Sequence, residues 1–110
     1  MKKRKRLKLK LKDHQITLNE AANLTENYRD AQTENVYVKA QLFGQEAIRA
    51  LLDQSGCIGV RMYYGLSGEG VPRLVLAGVD EAGNDMCEGI ILDKGVLCPT
   101  ECSESNDLNC

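Results

Sequence analysis

The sequence contains no tryptophan, and only five of its 110 residues are aromatic, four tyrosines and one phenylalanine. A hydrophobic core must therefore be built mainly from leucine, isoleucine, valine and alanine. No run of about 18 apolar residues exists, so a transmembrane helix is not predicted. A secretory signal peptide is not indicated either, because lysines interrupt the apolar stretch that would follow the basic N-terminus. We therefore expect a cytoplasmic protein without a membrane span.

Histidine is also scarce, since His14 is the only one in the chain. A nucleophilic cysteine or serine with a histidine base would have to use this residue. Sixteen acidic residues are present, but their spacing singles out no pair for acid–base catalysis. The expectation is a protein that is not an enzyme.

Charge is distributed very unevenly along the chain. The formal net charge is −2, yet eight of the fourteen Lys and Arg residues lie within the first twelve positions. The remaining residues hold six basic side chains against sixteen acidic ones, a net charge of −10. This asymmetry indicates a basic arm attached to an acidic body.

Leucines alternate with lysines in this arm from residue 7 to residue 12. A period of two predicts a strand with the leucines on one face, and the alternative is a solvated basic tail. The predicted interaction arm consists of Lys2, Lys3, Arg4, Lys5, Arg6, Leu7, Lys8, Leu9, Lys10, Leu11 and Lys12.

Two helices are predicted beyond the arm. Thr17 followed by Glu20 matches a capping box, and the periodicity that follows predicts a helix over residues 18–30. Residues 36–43 alternate in polarity and suit a short strand or an extended linker. Helical periodicity returns over residues 45–54, and Gly56 is a stop signal.

The second half of the chain predicts three strands. Residues 57–64 alternate with a period of two, residues 73–79 are almost continuously apolar, and residues 86–93 supply a third candidate. Short turn segments between them favour an antiparallel meander. The fold class is therefore α+β, with two helices packed on this meander and the arm as a candidate additional N-terminal strand. The predicted core comprises Ile48, Leu51, Leu52, Val60, Leu74, Leu76 and Ile90.

This pattern predicts three parts of the chain. Residues 1–12 form the basic arm, residues 13–97 form a single α+β domain, and residues 98–110 form a polar tail that contains cysteines.

Five cysteines, an odd number, favour unliganded thiols over a complete disulfide framework. Cys98 and Cys102 form a loose CxxxC pair, and together with Cys110 and Cys87 they are candidate metal ligands. A local crosslink between Cys98 and Cys102 is a further alternative. The expectation is no cofactor, with zinc or an iron–sulfur cluster as the alternative.

Two loops suggest ligand binding at first sight. The segment GLSGEG is rich in glycine, but Glu69 and the strand with Pro72 that follows make it a hairpin connection rather than a phosphate cradle. The segment DEAGNDMCE offers the oxygen ligands Asp80, Asn84, Asp85 and Glu88. It departs from the calcium-loop template, and we expect an ordinary turn.

Three segments, LLDQSGCIGVRMYYGL, LVLAGVDEAGNDM and ILDKGVLCPTEC, resemble a family of small uncharacterised bacterial proteins. The resemblance covers about residues 45–102 and implies a coherent domain without an assigned activity. In outline, SGCIGVRMYY followed by CPTEC is also similar to A-type iron–sulfur carriers. That family has a CxC pair with flanking glycines where this chain has CxxxC, and it separates the pair further from the strand cysteine.

The leading hypothesis is a non-enzymatic interaction or self-assembly protein whose partner is another copy or another protein. The arm would add as a strand to an exposed sheet edge. One alternative is nucleic-acid binding through the arm, although the acidic body would repel nucleic acid and no aromatic stacking motif is present. The other is metal or iron–sulfur binding through the C-terminal cysteines.

Overall fold

The computed structural model describes residues 8–34 and 36–109. They contain two α-helices and five strands, which confirms the predicted α+β class and its antiparallel strands. No helix within the described ranges is long and apolar enough to cross a membrane. The elements are a 3-10 helix at Leu11–Asp13, α1 at Leu18–Asp30, β1 at Ala40–Leu42, α2 at Gln45–Leu52, β2 at Cys57–Leu66, β3 at Pro72–Asp80, β4 at Ile91–Leu92 and β5 at Val96–Cys98.

Contacts divide these residues into two compact units. The first unit contains Gln41–Val96 together with Lys8, and the second contains Leu9–Ala40 together with residues 97–109. The domain boundaries expected from the sequence remain predictions.

The first unit is built on the predicted meander, a sheet in the order β2, β3, β4. Both pairs of strands are antiparallel, and the register places Arg61 opposite Ala77 on β3. The third strand was predicted over residues 86–93 but forms only at Ile91–Leu92. Before it, Asp85 makes an isolated bridge with Val79, and regular pairing with β3 begins only at Ile91. A second, two-stranded sheet pairs β1 with β5. The strand β5 was not predicted.

Part of the core of the first unit lies where α2 packs against β2 and β3. Leu51 and Leu76 are completely or almost completely buried, as predicted. The core prediction is wrong for Leu52, which is exposed. Successive helix positions differ by about 100°, so only one of Leu51 and Leu52 can face the sheet. Ile90 is also exposed, since it precedes the short strand β4. The remaining predicted core residues are half-buried: Ile48, Val60 and Leu74.

Gln54 joins the end of α2 to the segment before β4. Its Nε2 donates to the carbonyl of Leu51 at 2.8 Å, and its Oε1 accepts from the N–H of Ile90 at 2.7 Å. Gly78 leaves room for this side chain, because a Cβ there would lie 2.8 Å from Gln54 Nε2. A Cβ at Gly89 would overlap the side-chain Oε1 of Gln54. These contacts fix the end of α2 on the sheet.

The Gln41 side chain forms hydrogen bonds with the part of β3 that has no partner residue on β4. Its side-chain Oε1 accepts from the N–H of Leu74 at 2.9 Å, and its Nε2 donates to the carbonyl of Pro72 at 3.2 Å. The strand β4 pairs with β3 only at Leu76 and Ala77. The amide therefore takes the place of a neighbouring peptide unit along the first half of β3.

The second unit contains α1, which confirms the predicted helix over residues 18–30. The predicted capping box is present, since the Glu20 N–H donates to Thr17 Oγ1 at 3.1 Å. Near the other end of the helix, the Tyr28 hydroxyl donates to the carbonyl of Val38 at 2.9 Å. The Tyr28 and Tyr37 rings meet edge to face with centroids 6.1 Å apart.

Candidate functional site

The basic arm is described only from Lys8 onward. The predicted N-terminal strand is not confirmed, because residues 8–10 are irregular and Leu11–Asp13 forms a 3-10 helix. The N–H of Lys10 donates to the Asp13 carboxylate at 2.8 Å, which stabilises this turn. Leu9 is 54% exposed and Leu11 is 75% exposed. Six arm residues lie outside the described ranges: Lys2, Lys3, Arg4, Lys5, Arg6 and Leu7.

The strand β2 is an edge strand. It pairs with β3 along one side, and no other strand of the described residues pairs with its outer side. An edge of this kind presents backbone N–H and C=O groups to which a further strand can bind. With ten residues, β2 is the longest strand in the described sheets.

Large apolar side chains line one face of β2. Met62 is 56% exposed, Tyr64 is 95% exposed and Leu66 is 74% exposed. Because side chains at alternate strand positions point to the same face, these three form one continuous row. We call Met62, Tyr64 and Leu66 the β2 row. Exposed apolar patches on a soluble domain are typical of interaction sites.

The length of α2 explains why the β2 row is uncovered. Eight helical residues span only about 12 Å, whereas the ten residues of β2 span about 33 Å. The C-terminal end of α2 is fixed near Gly78, which pairs with Val60 on β2. Val60 is therefore half-buried, whereas the three residues beyond it on the same strand face are exposed.

The opposite face of β2 carries a polar cluster formed by Arg61, Tyr63 and Asp85. The Arg61 Nη1 donates to Asp85 Oδ1 at 2.6 Å and to the carbonyl of Gly83 at 3.2 Å. The Tyr63 hydroxyl donates to the other carboxylate oxygen of Asp85. The cluster therefore attaches the C-terminal half of β2 to the segment that follows β3.

Hydrogen bonding within this cluster alters the acidity of two groups. The pKa of Tyr63 is raised, chiefly because its hydroxyl donates to the Asp85 carboxylate, and because partial burial and the Asp85 charge disfavour the phenolate. The Arg61 guanidinium opposes this shift. The pKa of Arg61 is also raised, chiefly by its hydrogen bond to Asp85. Both shifts favour the protonated forms that hold the cluster together.

The loop that offered calcium ligands uses its oxygen atoms in turn formation. Asp80 Oδ1 accepts from the N–H groups of Ala82 and Asn84, each at 3.0 Å. Asp85 binds Arg61 and Tyr63 instead of facing Asp80 across an ion site. This agrees with the turn expected from the sequence.

The structure joins Cys98 and Cys102 in a disulfide, with their Cα atoms 4.8 Å apart. The structure therefore contains the local crosslink, which was the alternative prediction, and not the unliganded thiols that were favoured for these two cysteines. Cys57 is half-buried, Cys87 is exposed, and both are free, whereas Cys110 lies outside the described ranges. In the part of the chain that the structure describes, no three His, Cys, Asp or Glu side chains form a group that could hold a metal ion.

The alternation over residues 57–64 predicts that Met62 and Tyr64 share a strand face, but it does not indicate what covers that face, so the β2 row was not predicted. The lengths of the two predicted elements contain the missing signal. A helix over residues 45–54 cannot cover a strand of similar residue count, because a strand residue rises more than twice as far as a helical one.

Comparison with known proteins assigns no relative to this chain. The resemblances to small bacterial proteins and to A-type iron–sulfur carriers therefore stay predictions. No protein-family model, curated protein or solved structure matches the sequence or the fold.

Proposed function

We propose that this protein is a non-enzymatic interaction protein that self-associates through its basic arm, residues 2–12. The observation that carries this proposal is the exposure of Leu9 and Leu11 between lysines that are also exposed. Leucines add nothing to a segment that needs only charge, whereas covering them on another surface stabilises a complex. The net charge of −10 on residues 13–110 provides the electrostatic attraction for an arm of charge +8.

The test is the mass of the full-length protein by light scattering, at physiological ionic strength and at 1 M salt. We expect a concentration-dependent assembly that is weakened but not abolished by salt. Screening at 1 M shortens the Debye length to about 3 Å, whereas leucine burial persists. Changing Leu7, Leu9 and Leu11 together to Ser should weaken assembly more than the salt does.

A matched control replaces three exposed leucines outside the arm, Leu18, Leu24 and Leu108, with Ser. This variant should keep the wild-type mass. A monomeric wild-type protein, or equal masses for the two triple variants, would refute arm-mediated self-association.

Nucleic-acid binding through the arm is the competing function, supported by the exposed Lys8, Lys10 and Lys12. A protein that neutralises several phosphates loses affinity steeply as salt rises. Tight, salt-sensitive binding to an oligonucleotide by the arm-leucine variant, with no self-association of the wild type, would favour this alternative.

We also propose a cytoplasmic location. The Cys98–Cys102 disulfide of the structure runs against this proposal and makes it testable, because cytosolic thiols are normally kept reduced. Alkylation of the two thiols in freshly lysed cells should show them reduced. A fully oxidised pair would place the protein in an oxidising compartment.

A further inference from the structure

We propose that the outer edge of β2 is the surface that receives the arm of a second copy, as an added strand that covers the β2 row. This inference rests on the proposed function, because it names the surface on which the self-associating arm docks. The observations that carry it are an unpaired strand edge, an uncovered apolar row with a period of two, and an arm with the same period.

The backbone of each partner suits strand addition. Along its outer side, β2 has no strand partner among the described residues. The arm contains no proline or glycine over residues 2–12, so no residue there lacks an N–H for a neighbouring strand. The Lys10 N–H and the Lys10 and Leu11 carbonyls, which bond within the 3-10 turn, have to leave that turn when the arm adds as a strand. Main-chain bonds of this kind supply affinity in β-augmentation, and alternate side chains supply specificity.

The side chains match in spacing as well as in chemistry. Leu7, Leu9 and Leu11 recur every second residue, as do Met62, Tyr64 and Leu66. The three arm leucines can be aligned with the three residues of the β2 row in a parallel or an antiparallel direction. The middle residue of one set faces the middle residue of the other in both cases. Leu9 therefore lies beside Tyr64 in either orientation, and cross-strand neighbours of this kind are in side-chain contact.

The positive charge of the arm favours docking on the first unit over pairing with the arm of another copy. Two arms of charge +8 repel each other, whereas residues 41–96 hold eight acidic side chains against four basic ones. Arm lysines would project on the face that carries Tyr63, a residue that is 47% exposed. Their aliphatic stems can pack on the Tyr63 ring while the ammonium groups remain in water. The two arginines of this face, Arg61 and Arg73, already pair with Asp85 and Asp93.

The first experiment tests contact at the central pair in the full-length protein. Leu9→Ser and Tyr64→Thr are each expected to raise the dissociation constant of self-association by about tenfold, as for an anchor residue in an interface. If the two side chains touch, the double variant should weaken association by less than the product of the single effects. Leu42→Thr, an exposed leucine at 66% on β1, is the matched control and should leave the constant within about threefold of wild type.

A second pair of variants tests strand formation with a substitution in the arm itself. Lys8→Pro and Lys8→Gln both remove one positive charge, but only proline removes an N–H and restricts the backbone. We expect Lys8→Pro to weaken association at least about tenfold more than Lys8→Gln does. Equal effects would show that the arm acts through charge alone and would overturn the strand model of docking.

The outcomes separate the inference from the function on which it rests. If Leu9→Ser weakens association while Tyr64→Thr and Leu66→Thr do not, the arm docks elsewhere, and only the β2 edge is refuted. If association does not respond to any arm variant, both proposals fall. If the circular dichroism of Tyr64→Thr shows unfolding, Leu66→Thr, at a position that is 74% exposed, tests the β2 edge in its place, and an unchanged dissociation constant for that variant refutes docking there.

Discussion

Gln54 is the residue whose replacement tests most directly how the first unit is held together. Its amide makes two hydrogen bonds, one to the Leu51 carbonyl at 2.8 Å and one from the Ile90 N–H at 2.7 Å. A hydrogen bond contributes about 0.5–1.5 kcal/mol net, so Gln54→Ala should lower the free energy of unfolding by about 1–3 kcal/mol. Small domains are stable by only about 5–15 kcal/mol, so this loss is easily measured.

The assay is urea unfolding followed by circular dichroism, with the unfolding free energy from linear extrapolation. Gln45→Ala is the matched control, since Gln45 is an exposed glutamine in the first turn of α2. Gln54→Glu tests the donor separately, because a carboxylate can still accept from the Ile90 N–H but cannot donate to the Leu51 carbonyl. A loss below about 0.5 kcal/mol for Gln54→Ala would refute the role assigned to this side chain.

Three further outcomes follow from the structure. Leu51→Ala should lower the unfolding free energy by about 2–5 kcal/mol in the same urea assay, because the side chain is fully buried; a loss under 0.5 kcal/mol, roughly a surface effect, would contradict its core position. Changing Cys98 and Cys102 to Ser should cost about 2 kcal/mol without reductant, as expected for so short a loop, and almost nothing with reductant. Because the pKa of Tyr63 is raised in the folded state, its bond to Asp85 stabilises the fold below the ordinary tyrosine pKa of about 10 and ceases to do so as pH rises through the folded pKa. Stability measured across alkaline pH should therefore fall less steeply in Tyr63→Phe than in wild type, and equal slopes would contradict the assignment.

Local sequence signals predicted the elements that form without distant partners. The capping box of Thr17 and Glu20 begins α1 at Leu18, as expected, because both of its hydrogen bonds lie within one turn. Period-two patterning likewise predicted β2, and an almost continuously apolar run predicted β3, because both patterns are properties of the strand segment itself. These predictions needed no knowledge of the tertiary fold.

The parts that sequence analysis missed depend on residues far apart in the chain. The short strand β5 exists only because β1, more than fifty residues earlier, pairs with it. The amide of Gln41 acts as a strand substitute only once β3 lies beside it. Polar side chains in such positions carry no periodic signal, so their role could not be predicted from pattern alone.

The candidate site illustrates the same limit. The arm was predicted from its charge and spacing, but the surface that could receive it was not, because exposure of Tyr64 depends on where α2 ends. Core predictions failed for a related reason at Leu52, where helical periodicity permits two neighbouring apolar residues and the sheet covers only one.

Apart from an irregularity in register between Cys57 and Gly59, the β2 edge has few of the devices by which strands usually avoid unwanted pairing. Natural edge strands carry lysine or proline, or are covered by another element, whereas β2 contains neither residue and its single arginine is paired with Asp85. Arms of this chain could pair with one another by spacing, but eight like charges on each oppose that contact. The arm and the acidic body attract each other, so the charges that oppose pairing between two arms favour docking of the arm on β2. Spacing then fixes the register through the leucines, and charge decides which of the two available strands the arm pairs with.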